Sequence, residues 1–473
     1  MKVQRGPGEV STPAARPLKE QPAATKPADV TAPRPAPQGW AAKETTASTA
    51  RRLQQAQATQ APAAAGNTAP AKGLRSAMFD AQLDRETNSR NLSGNKVTML
   101  FDGVNSFAER NKMIDGAKES ICFQTFIFNS DDTGWELANK LAAKAKEGVE
   151  VRVIYDAMGS SRADPKMFEM MKAAGVDVKP YGEKYKVWDI NDRWHEKHLI
   201  VDGKASVEGG MNVANEYAFG GSGKMVFSRG KEKQGTEAWR DADMKLEGPA
   251  VADAMKAFVR NWGELGGNLS DADKAKLFPK LTEVQGGGAS VRVVQSNPEV
   301  KGLINTNDKL YLRAIENAQK SITIENAYFL PPPEIRKALI SAAQRGVDVK
   351  VMTNSKASND MGFVSDAARY FYDDMMKAGV KIYEKQGGTL HAKTATFDGE
   401  FSVVGSVNMN GRSKNQDAEV ALAVQDSTTA HQLEQRFASG LAQTKPVMMD
   451  ELKKESFFTN LKQWALSTLA WTF

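Results

Sequence analysis

The pattern of apolar and polar positions repeats the same order of predicted helices and strands twice between residues 95 and 445. Each copy begins with an apolar helical segment, continues through an apolar run and a second helix, and reaches a β-branched strand and a third helix. Alternation of strands with helices predicts an α/β sheet that carries helices on its faces. The predicted segments are 105–118, 120–128, 134–147, 149–155 and 165–174, then 307–320, 321–329, 333–345, 347–353 and 364–378.

The two copies also resemble each other residue by residue. Residues 117–121 resemble 318–322 at an offset of 201, and residues 145–151 resemble 343–349 at an offset of 198. Because the order is kept and the offset hardly changes, we infer a duplicated domain of about 180 residues, an ordinary domain size. The predicted regions are a disordered Ala/Pro-rich segment 1–94, a first domain 95–285, a second domain 286–445 and a C-terminal amphipathic segment 446–473.

Composition sets the N-terminal region apart from the rest. Residues 1–72 contain 19 Ala and 10 of the chain's 19 Pro, without apolar periodicity, which is typical of a disordered tail. Residues 1–93 hold 13 Lys or Arg and 7 Asp or Glu, so the net charge of +6 belongs to them and the remaining 50 charges of each sign cancel. A neutral body argues against a nucleic-acid partner.

Several site types and locations are excluded or disfavoured by the sequence. The single cysteine, Cys122, allows neither an internal disulfide nor a cysteine-based zinc site. No segment approaches the roughly 20 apolar residues that span a bilayer, and no apolar run follows the N-terminus as in a secretory signal. We therefore expect a cytoplasmic location.

The sharpest motif, H-x-K-x(4)-D-G, occurs once in each copy. An Asp-Gly pair between β-rich runs predicts a two-residue hairpin turn, which would place the first histidine opposite Gly210 and the second opposite Ser406. An asparagine follows each histidine by 17 residues on the returning strand, and we expect it on the face that carries the histidine and lysine. These residues are His195, Lys197, Asp202 and Asn212 in the first copy and His391, Lys393, Asp398 and Asn408 in the second.

The residue types in this motif suit phosphate chemistry. A lysine supplies a compact positive charge and an asparagine an amide donor, both suited to phosphate oxygens. Histidine can attack phosphorus or deliver a proton, and two facing copies would let one imidazole do each. A structural role is the ordinary explanation for a single strand histidine, but two copies with identical spacing argue against it. His198 is expected to point to the opposite face and to be structural, and His431 to be exposed.

Two acidic residues further downstream are candidates for orienting the histidines. Asp241 lies 46 residues after His195, and Glu419 lies 28 residues after His391. A buried carboxylate beside each imidazole would fix its tautomer and raise its basicity. A plain surface charge is the alternative for both.

These residues resemble the phospholipase D superfamily, whose hallmark is the duplicated H-x-K-x(4)-D motif, and within it the bacterial cardiolipin synthases. The resemblance extends over residues 95–445. Further matches are Gly209-Gly210-Met211-Asn212, Asn215-Glu216-Tyr217, Trp239-Arg240-Asp241 and Gly405-Ser406-x-Asn408 with Arg412-Ser413. Asp417 departs from the asparagine that this branch often has there, and the N-terminal membrane helices of many cardiolipin synthases are absent.

The resemblance implies a fold and a set of roles. It implies two tandem α/β domains with pseudo-two-fold symmetry, one active site between them, a phosphohistidine intermediate, and neither metal nor cofactor. His195 would be the nucleophile and His391 the general acid. The phosphoryl oxygens would be held by Lys197, Lys393, Asn212 and Asn408, the histidines oriented by Asp241 and Glu419, and the fold supported by Asp202 and Asp398.

The expected partner is a phospholipid resembling phosphatidylglycerol, met by peripheral contact with the inner face of a bacterial membrane. Aromatic residues and leucines recur at helical spacing near the C-terminus, from Phe457 to Phe473, just after Lys453-Lys454. This pattern fits an interfacial amphipathic helix, and a terminal helix packed on the domain is the equal alternative. The favoured function is a phosphatidyl transferase. The alternatives are a phospholipase D hydrolase, a metal-independent nuclease or other phosphodiesterase, and an inactive scaffold or lipid-binding module.

Overall fold

The computed structural model describes residues 73–182, 192–219 and 238–453. The strands of the first half are β1 (Leu92–Phe101), β2 (Ser120–Thr125), β3 (Glu150–Asp156), β4 (Asp177–Tyr181), β5 (Arg193–Trp194), β6 (His198–Val201), β7 (Ala205–Gly209) and β8 (Ala242–Glu247). Those of the second half are β9 (Ala289–Ser296), β10 (Ser321–Asn326), β11 (Asp348–Asn354), β12 (Lys381–Lys385), β13 (Lys393–Phe397), β14 (Phe401–Gly405), β15 (Asp417–Gln425) and β16 (Thr444–Pro446).

One mixed sheet contains the strands of both halves. Across the described residues its order is β16-β12-β11-β10-β13-β14-β15-β9-β1-β8-β7-β6-β2-β3-β4, and β5 pairs with β15 off this path. Counted outwards from the central β9–β1 junction, corresponding strands of the two repeats occupy the same position on either side: β9 and β1 come first, then β15 and β8, β14 and β7, and β13 and β6. This mirrored order confirms two α/β halves related by a pseudo-two-fold axis.

Helices connect the strands. The principal apolar clusters lie where helix faces pack against the sheet. In α3, for example, Leu137, Ala138 and Leu141 are buried at helical spacing. The helices are α1 (Ala77–Thr87), α2 (Asp102–Gly116), α3 (Asp132–Lys146), α4 (Pro165–Ala173), α5 (Asn215–Ala218), α6 (Val251–Glu264), α7 (Asp271–Leu277), α8 (Thr306–Asn317), α9 (Pro333–Gln344), α10 (Gly362–Arg369), α11 (Tyr372–Lys377), α12 (Gly411–Asn415), α13 (Ser427–Gly440) and α14 (Met449–Lys453).

The expectation of disorder up to residue 94 is wrong for its last part. Helix α1 and the start of β1 fall within that range. Phe79 and Leu83, four residues apart on α1, are fully buried, and the Phe79 ring meets the Phe401 ring edge-on at 5.4 Å. These two apolar side chains, at helical spacing, pack α1 on the second half, and ion pairs of Asp84 with Arg292 and of Glu86 with Arg313 add to the contact. The Ala/Pro-rich composition that precedes α1 obscures this signal in the sequence. Residues 1–72 lie outside the described part of the chain.

The predicted Asp-Gly turns are present, but the hairpin registers differ from the prediction. Asp202 adopts a φ of 52° and Gly203 one of 61°, and the Lys204 amide closes the turn onto the Val201 carbonyl at 3.0 Å. The ladder resumes one residue later, with Val201 opposite Ala205, so Lys204 is a bulge.

The second hairpin repeats the bulge, with Phe397 opposite Phe401. The prediction that His195 lies opposite Gly210 and His391 opposite Ser406 is therefore wrong. Both registers are shifted by one residue, and the ladders begin only at His198 and Thr394, after the two histidines. The error of the prediction is to assume that the residue closing the turn also begins the ladder.

Candidate active site

The segment that carries each histidine pairs with the other half of the molecule. Strand β5 runs parallel to β15, and the amide of His195 donates to the carbonyl of Ala418 at 2.9 Å. In the same way the amide of His391 donates to the carbonyl of Arg240 at 2.8 Å. Ala418 and Arg240 each immediately precede a candidate carboxylate, so the backbone brings each histidine to the carboxylate of the opposite half.

Glu419 accordingly faces His195. The Nδ1 atom of His195 lies 3.0 and 3.1 Å from the two carboxylate oxygens of Glu419. The hydroxyls of Ser406 and Ser413 also donate to this carboxylate, Ser413 at 2.6 Å, and all of Glu419 is buried. Because a carboxylate accepts, Nδ1 of His195 carries the proton, and the lone pair of Nε2 is left free.

Asp241 faces His391 in the equivalent arrangement. The Nδ1 atom of His391 lies 2.7 Å from Asp241 Oδ2, while Asp241 Oδ1 accepts from the Ala242 amide at 2.8 Å. The rings of Tyr217 and Trp239 pack against the imidazole with centroids 5.1 and 5.3 Å away. His391 is therefore held in orientation by one carboxylate and two aromatic rings.

The pairing across the halves was not foreseen. The spacing between a histidine and a carboxylate within one copy carries no information on which half of the molecule each carboxylate meets. The surface-charge alternative for Asp241 and Glu419 is wrong, since both side chains are fully buried.

The two motif lysines are buried beside the histidines. Lys197 Nζ donates to the carbonyl of His195, and Lys393 Nζ donates to the carbonyl of His391 and lies 3.1 Å from both ring nitrogens of that histidine. Burial lowers the pKa of Lys197 to about 7 and that of Lys393 to about 8. Both ammonium groups lack the solvation that water would supply, which favours an anion between them.

Charges from both halves act on each imidazole. Burial, and then the charges of Lys197 and Lys393, hold the pKa of His195 well below its usual value, and the same three causes lower the pKa of His391. The charge of His195 also lowers the pKa of His391. The structure thus gathers both motifs into one electrostatic environment in which the free imidazoles are neutral and a bound phosphate would favour protonation of one of them.

The two asparagines are placed differently. Asn212 donates through Nδ2 to the hydroxyl of Tyr217 at 2.9 Å, and its Oδ1 accepts from the Ile127 amide at 3.0 Å. Asn408 is buried, and within the described residues its Oδ1 has no hydrogen-bond partner. Asn212 is therefore fixed in place by its neighbours, whereas Asn408 keeps an unused polar atom.

The motif aspartates lie at the hairpin turns. The carboxylate of Asp202 accepts from three successive backbone amides that begin β2, at 2.8–3.2 Å. Asp398 repeats this contact at the start of β10, at 2.7–3.1 Å. Such contacts tie each hairpin to the neighbouring strand and agree with the fold-supporting role expected for both residues.

A buried network that the sequence did not reveal lies beside the first motif. His198 Nδ1 is 2.6 Å from a carboxylate oxygen of Glu208, and the carboxylate of Glu196 accepts from Gln124 and Gln295 at 2.9 and 2.6 Å. Although burial lowers the pKa of His198, the two carboxylates raise it to about 10. His198 is thus a buried imidazolium, in keeping with the structural role expected, and His431 is exposed on α13.

The described residues contain neither a metal-binding cluster nor a membrane-spanning helix. No group of three or more histidine, cysteine or carboxylate side chains among them has the arrangement of a metal site. No helix among them is long and apolar enough to cross a bilayer.

Comparison with known proteins identifies relatives along most of the chain. A family model described as "Cardiolipin synthase, PLD-like domain" matches residues 111–219 and 311–441. The cardiolipin synthase of Clostridium perfringens is 31% identical over 382 residues, which cover 79% of this chain and 76% of the relative. The probable cardiolipin synthase YwiE of Bacillus subtilis is 32% identical over 352 residues, covering 74% of this chain and 66% of the relative.

Among solved structures, the phosphatidylserine synthase of Haemophilus influenzae superposes with a TM-score of 0.64 at 14% identity. The match covers 84% of this chain and all of that one. At that identity the likeness concerns the fold alone, and it agrees with two repeated α/β halves.

Proposed function

The chain belongs to the phospholipase D-like family of cardiolipin synthases, which are phosphatidyl-transferring enzymes, and from this membership we propose that it makes cardiolipin from a phosphatidylglycerol-like donor through a covalent phosphohistidine. The observation that carries the proposal is the pair of buried imidazoles, each braced by a carboxylate of the opposite half and accompanied by a buried lysine. Two such groups in one site can divide the work of attacking phosphorus and protonating the leaving oxygen.

In the first step Nε2 of His195 attacks the phosphorus atom of the donor. A P–N bond forms, the bond from phosphorus to the glycerol oxygen breaks, and that oxygen takes the proton from Nε2 of His391. Free glycerol leaves, and the phosphatidyl group stays on His195. Glu419 stabilises the positive charge that develops on the attacking ring, since it holds Nδ1 at 3.0 Å.

In the second step a second phosphatidylglycerol supplies the attacking hydroxyl. Nε2 of His391 takes its proton, the new P–O bond forms, and the P–N bond to His195 breaks to release cardiolipin and the free enzyme. Asp241 holds the His391 ring for both proton transfers. Water in place of the alcohol would give phosphatidic acid, the product of a phospholipase D.

The remaining motif residues would bind and support. Lys197 and Lys393 would neutralise the phosphoryl oxygens, and Asn212 and Asn408 would donate amide hydrogens to them. None of these steps uses a metal ion or cofactor, so we expect turnover to continue in EDTA.

Access to a lipid substrate requires contact with a membrane, which we propose is peripheral and at the cytoplasmic face of the bacterial inner membrane. Of the predicted amphipathic segment 446–473, only residues up to Lys453 are described, and Leu452 packs against the core of the second half. The aromatic residues from Phe457 onwards lie outside the described part. Removing residues 454–473 should lower binding to vesicles that contain phosphatidylglycerol, while unchanged binding would favour the packed-helix alternative.

Product analysis tests the proposed function. Protein incubated with phosphatidylglycerol vesicles in EDTA should yield cardiolipin and glycerol, detected by mass spectrometry. The His195→Asn variant should yield neither, and the exposed His431→Gln variant serves as the matched control. Finding neither cardiolipin nor phosphatidic acid with the unaltered protein would contradict the proposal, and EDTA-resistant DNA cleavage lost in His195→Asn would favour the nuclease alternative.

A further inference from the structure

The pseudo-two-fold axis relates two side chains of opposite charge at the edges of the active site. Four residues after Asn212 lies Glu216, and four residues after Asn408 lies Arg412. Arg412 pairs with Asp417, its Nε lying 3.1 Å from Asp417 Oδ1. Within the described residues Glu216 has no equivalent ion pair, so one flank of the site carries an unpaired carboxyl group and the other an arginine paired with an aspartate.

The carboxylate of Glu216 is buried without a side-chain donor. The residue is 6% exposed, and no described side chain donates a hydrogen bond to it. Burial raises the pKa of Glu216 to about 7, although a hydrogen bond from its own backbone amide opposes the rise. The charges of Asp131 and Asp360 raise this pKa further, and that of Arg162 opposes them more weakly. A buried carboxyl group close to like charges is costly in the folded protein, which is a common mark of a group that meets a ligand.

Asp360 approaches the same place from the second half. The hydroxyl of Tyr328 donates to both of its carboxylate oxygens at 2.7 and 2.8 Å. The charge of Asp360 acts on Glu216, and it also acts on Lys393, whose ammonium group adjoins His391. The charges of the two carboxylates therefore act in one region, which also includes the lysine of the second motif.

Tyr217 connects this space to the reacting groups. Its ring packs edge-on against His391, and its buried hydroxyl accepts from Asn212. Among the described residues no acceptor receives the hydrogen of that hydroxyl. Beside the proposed general acid there is thus an unused donor, in a region where the charges of Glu216 and Asp360 both act.

We propose that Glu216 and Asp360 bind the hydroxyl groups of the alcohol portion of the substrate, with the Tyr217 hydroxyl donating to an alcohol oxygen. The inference rests on the proposed function, because His391 protonates the leaving oxygen and the alcohol must therefore lie on its side of phosphorus. Carboxylates accept hydrogen bonds from hydroxyls, and a glycerol group presents two of them once its third oxygen is esterified. The acidic flank is then the specificity site for a polyol.

Two donors with the same phosphatidyl group separate alcohol recognition from chemistry. The leaving group of phosphatidylglycerol carries hydroxyls. The leaving group of phosphatidyl-4-nitrophenol is nitrophenolate, which carries none and departs without protonation by an acid. In Glu216→Gln and in Asp360→Asn, the ratio of kcat/KM for the first donor over the second should fall by about tenfold to a hundredfold, as expected for loss of a buried contact to a hydroxyl. Arg412→Gln, at the equivalent position on the other flank, is the matched control and should shift this ratio far less.

The outcomes distinguish the inference from the function beneath it. A ratio within twofold of the unaltered enzyme in both variants, with the nitrophenyl ester still turned over, would overturn the inference and leave the proposed function intact. If the variants instead lose a preference for phosphatidylethanolamine, the flank binds an ammonium group and the polyol assignment is wrong. Failure of the unaltered protein to cleave either donor overturns the proposed function, and the inference with it.

Discussion

Replacing Asp202 tests whether the motif aspartates support the fold and take no part in the chemistry. Its carboxylate accepts from the amides of Lys118, Glu119 and Ser120, at the start of the strand that lies beside the hairpin. Asp202 also adopts a φ of 52°, where a residue with a β-carbon is strained unless it is asparagine or aspartate. Alanine at this position therefore loses all three contacts and keeps the strained backbone.

The structure sets the size of the effect. Three hydrogen bonds at about 1 kcal/mol each, and about 1–2 kcal/mol for a left-handed alanine, give a loss of about 4–5 kcal/mol in the free energy of unfolding. The Asp202→Asn substitution keeps one accepting oxygen and tolerates the backbone, so we expect a loss of about 1–2 kcal/mol. The loss for alanine is comparable with the whole stability of an ordinary domain, about 5–15 kcal/mol.

Urea unfolding followed by tryptophan fluorescence measures the stability losses of Asp202→Ala and Asp202→Asn. The kcat per folded molecule is measured on the same samples. Asp398→Ala repeats the test in the other half, because Asp398 makes the same three contacts at a φ of 57°. Both alanine variants should lose stability while folded molecules keep kcat within about tenfold. A drop in kcat of more than a hundredfold at unchanged stability would refute the reasoning and make Asp202 a participant in the chemistry.

The other predictions concern the braces of the two histidines. Asp241→Asn should slow cleavage of phosphatidylglycerol by about a hundredfold or more but slow cleavage of the nitrophenyl ester far less, since that leaving group needs no acid. Glu419→Gln should slow cleavage of both donors. Equal losses for both donors in both variants would contradict the assigned roles. Gly210→Ala should lower kcat at least tenfold, because its β-carbon would lie 2.2 Å from Asp241 Oδ1, while Gly116→Ala, with open space around it, should not. The profile of kcat/KM against pH should be bell-shaped. On the acid side, Asp241 and Glu419, whose pKa values burial raises to about 6 and about 7, become protonated and lose their hold on the histidines. On the basic side, from about pH 7 to 8 upwards, the buried Lys197 and Lys393, with pKa values of about 7 and about 8, lose the charge that binds phosphate. A flat profile from pH 5 to 9 would refute this.

Local features of this molecule could be predicted from the sequence because they depend on neighbouring residues. The duplicated motif, the α/β alternation and the Asp-Gly turns each follow from spacing within one copy, and all appear in the structure. The structural role expected for His198 also follows from strand periodicity, which places its side chain on the opposite face from the motif histidine. The one-residue error in the hairpins arose because the bulge at Lys204 depends on how the ladder pairs, which periodicity does not show.

Features that join distant segments could not be predicted in this way. Glu419 meets His195 only because β5 pairs with β15, and the charge of Asp360 acts on Glu216 from a loop of the other half. Nothing in the spacing of a single copy specifies these contacts. Helix α1 was missed for a related reason, since its buried side chains dock on the second half, far along the chain, at Phe401 in the case of Phe79.

The central claim, that the two halves carry out phosphatidyl transfer through a histidine adduct, is tested most directly by trapping that adduct. The protein is mixed with phosphatidyl-4-nitrophenol, quenched within milliseconds under alkaline conditions, digested and analysed by mass spectrometry. We predict a phosphatidyl or phosphoryl group on the peptide that contains His195, absent in His195→Asn and accumulating in His391→Asn. An adduct on His391 instead, or rapid turnover with no adduct on either histidine, would contradict the account.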